Sequence, residues 1–196
     1  MISHEHKCIF IHIPKTAGTS INKMLNLEPD YEKRRINGHG GMAYHRKYFK
    51  KGYFSFSFCR NPWDRLFSAY FYLSSEKCLN WPVSNTRIHS TIKKYRDFKT
   101  FVNHIDESMN DKHFQHQHSF IQHPVYNIDF IGRFENLQED FNTICDKIGI
   151  PQQELPHKNK TKHKRYTEYY DEETKQIVAE KYAKDIEYFG YEFGEL

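Results

Sequence analysis

Twice within its first 75 residues the chain runs from a short apolar strand, through a turn, into an amphipathic helix, and that repetition limits the folds open to it. Residues 7–13, "KCIFIHI", are β-branched and aromatic, and Pro14 stops the run, which predicts a buried strand. A helix follows, with Thr19 or Ser20 as its cap and Ile21, Met24 and Leu25 on one apolar face. In "YFSFSFCR", Phe54, Phe56 and Phe58 alternate with Ser55 and Ser57 at the period of a strand. Asn61 then stands at an N-cap with Pro62 in the first helical position, and Trp63, Leu66, Phe67 and Tyr70 form one stripe.

A third strand is expected in "YNIDFIGRFEN". The helix after it, "NLQEDFNTICDKIG", has Asn136 and Glu139 placed as in a capping box and Gly149 as its stop. Residues 75–97 carry no strong period and read as a surface excursion; a helix near 98–107 and a last one from about Asp171 to Tyr188 complete the chain. Strands alternating with helices imply a parallel sheet covered on both faces, hence a three-layer α/β domain over residues 1–196. In such sheets ligands sit beyond the carboxyl ends of the strands, where Lys15 and Arg60 fall.

Composition narrows the function. With 38% hydrophobic, 16% aromatic and 28% charged residues the chain has the make-up of a globular domain rather than a disordered one. A net charge of +4 is a mild bias toward anions, far below that of a dedicated nucleic-acid binder. No apolar run reaches a membrane span, and "MISHEHKC" lacks the order of a signal peptide, so a cytoplasmic protein is expected. Cys8, Cys59, Cys78 and Cys145 are too scattered for a zinc or redox motif and read as buried thiols.

The turn "PKTAGTS" combines a lysine, hydroxyls, a glycine allowing close approach and a helix start with its partial positive charge, which makes an oxyanion cradle. It is P-loop-like without being a Walker A motif, because Lys15 precedes Gly18 instead of following the last glycine. A kinase would also need a magnesium-binding acid at a strand end, and none is evident.

Strand, "PKTAGTS", helix, followed by strand, "RNPWDRLFSAY", helix, resembles the sulfotransferases that use 3′-phosphoadenosine 5′-phosphosulfate (PAPS), in particular their carbohydrate branch with the uronyl 2-O-sulfotransferases. "NGHGGMAYHRKYF", "IGRFENLQEDF" and "EKYAKDIEYFGYEF" extend the likeness toward the C-terminus. The resemblance implies a three-layer P-loop-like domain with a central parallel sheet flanked by helices. It assigns the 5′-phosphosulfate to Lys15, Thr16, Ala17, Gly18, Thr19 and Ser20, and the 3′-phosphate to Arg60 and Ser68. Chemistry agrees, since a guanidinium forks onto phosphate and a serine adds a hydroxyl donor.

His39 matches the family's catalytic base, although Asn37-Gly38-His39 stands where the uronyl enzymes carry His-Gly-His. Lys15 would offset charge on the departing phosphate. The basic run "HKNKTKHKR" falls where the family closes its nucleotide site, making His157, Lys158, Asn159 and Lys160 candidate contacts beside the alternative of a solvated loop. His113, His116, His118 and His123 lack the spacing of a familiar ligand set, and no metal is assigned. Trp63, Tyr70 and Phe71, like Ile177, Tyr182 and Phe189, read as packing residues, and Asp64 and Arg65 as a pair or cap at the helix start. The expected partner is a hydroxyl acceptor, a saccharide; a non-catalytic nucleotide- or polysaccharide-binding module is the rival from another class.

Overall fold

Strand β2, Cys8–Ile11, lies at the heart of a four-stranded sheet of order β1-β2-β3-β4, with β1 Ile2–Ser3, β3 Phe54–Cys59 and β4 Phe130–Arg133. The computed structural model describes residues 1–28, 41–75, 78, 92, 94–95, 97–156 and 164–195. Strands β2, β3 and β4 are parallel, in register Phe10↔Phe56 and Phe56↔Phe130. The expected parallel sheet is therefore present, and β1 adds an antiparallel edge through Ile2↔Ile9. Two residues are too few for an alternation to show in the sequence.

By its contacts the chain divides into two compact units: Met1–Arg60 with Gln117–Thr161, and Asn61–His116 with Lys162–Leu196. In the first, Cys8, Phe10, Phe56 and Phe58 point from the sheet toward Ile21 and Leu25 of helix α1, Gly18–Leu25, and Phe141, Ile144 and Cys145 of a second helix, Leu137–Ile148. Phe10 and Phe56 stack across the strands at 5.1 Å. Each such buried apolar side chain contributes roughly 1.5–3 kcal/mol.

The opposite face of β2 and β3 is equally buried, with Ile9, Ile11, Ser55 and Ser57 all at 0% exposure. Serines survive there because their hydroxyls are satisfied. Ser57 Oγ donates to the Ile11 carbonyl at 2.7 Å, and Ser55 Oγ donates to the Asp129 carboxylate at 2.6 Å. The Asp129 N–H donates back to Ser55 Oγ, pinning the approach to β4.

The second unit is helical and aromatic. Helix Pro62–Leu73 starts as its sequence predicts: Asn61 Oδ1 accepts the Trp63 N–H at 3.2 Å, and Pro62 occupies the first turn. Trp63, Leu66, Phe67 and Tyr70 join one core with Phe98, Phe101, Phe114 and Tyr182, and Phe71 and Ile177 pack at its margin. Arg65 is buried, donating to the carbonyls of Gln115 and Lys112. The last helical stretch breaks into Glu172–Lys181 and Ala183–Phe189 at Tyr182 (φ −104°, ψ 23°), whose buried side chain donates its hydroxyl to the Phe114 carbonyl at 2.6 Å. Asp171 caps the first of these through the Thr174 N–H.

All four cysteines are buried thiols, and burial pushes the Cys8 thiol up to about 11. Among the described residues no helix is long and apolar enough to cross a membrane.

Candidate functional site

The carboxyl ends of the three parallel strands bring one cluster together within the first unit. Beyond β2 the backbone enters a left-handed conformation at Lys15 (φ 74°) and again at Ala17 (φ 63°), neither of which is a glycine. Such residues cost about 1–3 kcal/mol each and persist only where the surroundings hold them. Three fastenings do so. Thr16, fully buried, donates its hydroxyl to the Ile13 carbonyl at 2.8 Å. The Ala17 carbonyl accepts the N–H groups of Ser20 and Ile21. Ser20 Oγ donates to the Pro156 carbonyl at 2.9 Å.

Helix α1 thus begins at Gly18, after Ala17, with no side-chain cap and no acid in its first turn. The expected cap at Thr19 or Ser20 is corrected: Ser20 is already inside the helix, and Thr19 is exposed in its first turn. Gly18 is required by close packing, since a Cβ there would lie 1.9 Å from His12 Nε2. The His12 ring cannot easily withdraw, because it stacks on Phe10 at 5.3 Å. A helix start held this way turns backbone N–H groups and partial positive charge outward, the ordinary environment of a bound oxyanion.

Arg60 follows the last residue of β3. Its Nη1 donates to the Lys15 carbonyl at 3.0 Å, tying the second predicted grip to the first loop. The guanidinium carbon lies 3.9 Å from the ring centre of Phe134, just past the end of β4, a cation–π seat. The main chain of Arg60 is held as well. Its N–H donates to Gln117 Oε1 at 3.0 Å, and Gln117 Nε2 donates to its carbonyl at 2.7 Å. Gln117 is 0% exposed. Neither Gln117 nor Phe134 figures among the residues expected from sequence; an aromatic one step past a strand end was a usable signal, whereas Gln117 offers none locally.

The other predicted residues fall elsewhere. Ser68 belongs to the second unit, half-buried on the helix Pro62–Leu73. His39 and the run His157, Lys158, Asn159 and Lys160 lie outside the described residues. Of the histidines near residue 120, His113 Nδ1 is 2.7 Å from Asp111 Oδ1, and His123 Nδ1 accepts the N–H groups of Val125 and Tyr126.

The chain is similar to known proteins along nearly its whole length. The family model described as "Sulfotransferase family" matches residues 1–192. Carbohydrate sulfotransferase 9 of Homo sapiens is 26% identical over 219 aligned residues, covering 94% of this chain and 47% of that protein. Carbohydrate sulfotransferase 14 of Danio rerio is 21% identical over 225, covering 97% and 61%. An uncharacterized protein of Archaeoglobus fulgidus is 31% identical over 105 residues, covering 52% of this chain and 72% of its own length. The chain spans less than two thirds of either carbohydrate relative. No solved structure matches.

Proposed function

The chain belongs to the sulfotransferase family, and from that premise we propose that it moves a sulfuryl group from PAPS to a hydroxyl of a saccharide. The acceptor class rests on the two carbohydrate sulfotransferases it resembles. The observation that most supports the reading is the bond from Arg60 Nη1 to the Lys15 carbonyl, which joins the two residues proposed as anion grips. Two adjacent grips suit a nucleotide phosphorylated at two places, and the residues present fit it: an uncapped, acid-free helix start and a guanidinium seated on Phe134.

PAPS would supply an activated sulfuryl group, whose bond to the 5′-phosphate oxygen breaks as the bond to the acceptor oxygen forms. Lys15, with the helix start at Ala17, Gly18 and Thr19, holds the 5′ end and balances the charge left on the phosphate oxygen. His39 takes the proton released by the acceptor hydroxyl. Arg60 holds the 3′-phosphate. Thr16 and Ser20, whose hydroxyls donate to the carbonyls of Ile13 and Pro156, act by fixing the loop that holds the 5′ end.

The test is transfer itself: purified protein with PAPS and a panel of oligosaccharides, read by the mass gain of one sulfuryl group. Product formation that is lost in His39→Ala supports the reading. Binding of 3′,5′-adenosine bisphosphate with no transfer to any acceptor would favour a non-catalytic nucleotide- or polysaccharide-binding module instead.

A further inference from the structure

Arg60 stands where β3 has ended, so its main-chain N–H and carbonyl need partners other than a neighbouring strand. Gln117 provides both from one side chain, accepting at 3.0 Å and donating at 2.7 Å. A planar carboxamide carries a donor and an acceptor side by side, as no carboxylate, hydroxyl or ammonium does. The glutamine is fully buried and comes from a segment 57 residues along the chain. Its clamp fixes the backbone on both sides of the Arg60 Cα, and with it the direction in which the side chain departs. The guanidinium then meets the Phe134 face at 3.9 Å and the Lys15 carbonyl at 3.0 Å. A long, many-rotamer side chain is thereby ordered in advance of any ligand, and ordering in advance lowers the cost of binding.

We propose that Gln117 is a positioning residue for the 3′-phosphate grip, acting through Arg60; the inference rests on the reading of Arg60 given above. It sets how well the protein distinguishes a nucleotide that carries a 3′-phosphate from one that lacks it. Removing Gln117 lets the Arg60 backbone and the guanidinium drift from their seat. The contribution of the 3′-phosphate to affinity falls, while the 5′ end, held at the Lys15 loop, is recognised as before.

The experiment measures dissociation constants of the full chain for 3′,5′-adenosine bisphosphate and for adenosine 5′-monophosphate, in the wild type, Gln117→Ala and Gln117→Glu. In Gln117→Ala the preference for the bisphosphate should fall about tenfold, with monophosphate affinity within about twofold of wild type. Gln117→Glu is nearly isosteric and decides the matter where the alanine variant does not fold. When ionised, its second oxygen opposes the Arg60 carbonyl, so the preference drops at neutral pH. It returns as the pH is lowered and the carboxyl regains a donor proton. An unchanged preference in both variants, or an equal loss of both nucleotides, overturns the proposal and leaves Gln117 as packing. A wild type that binds the two nucleotides alike removes the 3′-phosphate reading of Arg60 itself, and the role of Gln117 with it.

Discussion

The chain passes from strand to helix at two places where the topology is the same and the chemistry is not. At the first, β2 to α1, the backbone is left-handed at two non-glycine residues, the helix has no side-chain cap, and Gly18 is pressed against the His12 ring. At the second, Arg60 closes the strand segment, and the helix beyond opens on a conventional Asn61-Pro62 start. One junction presents main-chain N–H groups and a lysine; the other presents a guanidinium. On the reading proposed above, the difference teaches that a parallel strand end can hold an anion by backbone geometry or by a positioned side chain. Only the first method requires strain.

Four substitutions break or sharpen this contrast. Lys15→Ala should lower turnover about 10²–10³-fold at saturating PAPS, the usual loss for a group that stabilises charge only in the transition state; steady-state kinetics that match wild type would remove it from the mechanism. Arg60→Ala should weaken 3′,5′-adenosine bisphosphate by about 1.5–3 kcal/mol, the range for hydrogen bonds to a charged group. Adenosine 5′-monophosphate should be less affected, and equilibrium titration with both nucleotides checks it.

Gly18→Ala tests the strained junction alone. The new Cβ needs the space of the His12 ring, so thermal or urea unfolding should show a loss of about 1–3 kcal/mol, partly recovered in Gly18→Ala with His12→Ala. Additive losses in the double variant would mean that the two residues do not interlock. The last substitution acts on stability alone: Asn61→Ala removes the cap on the Trp63 N–H and the bond from the buried Asn61 amide to the Glu192 carbonyl, together about 1–3 kcal/mol. Denaturation should register it, whereas the ratio of bisphosphate to monophosphate affinity should stay unchanged.

The same contrast explains what the sequence made legible. Strand β3 and its helix were readable nearly to the residue, because Phe–Ser alternation and Asn-Pro are local signals with local causes. The loop at Lys15 was readable in composition but not in shape. Nothing in Lys15 or Ala17 announces a left-handed backbone, since the bonds that enforce it include one from Ser20 to Pro156, far along the chain. Asn136 likewise sits where a capping box would place it, yet it makes no side-chain cap, because a tight turn at Phe134–Asn136 leads directly into the helix. Gln117 was out of reach for the same reason as the loop's shape: its meaning comes only from Arg60, a distant residue whose backbone it completes.

The most direct test of the central claim is a calorimetric titration of the whole protein with 3′,5′-adenosine bisphosphate, with and without magnesium, against ATP with magnesium. Two joined grips at the strand ends predict tight binding of the bisphosphate that magnesium does not alter, and weak binding of ATP. Preference for ATP with magnesium would contradict the account and point to a kinase-like use of the same loop.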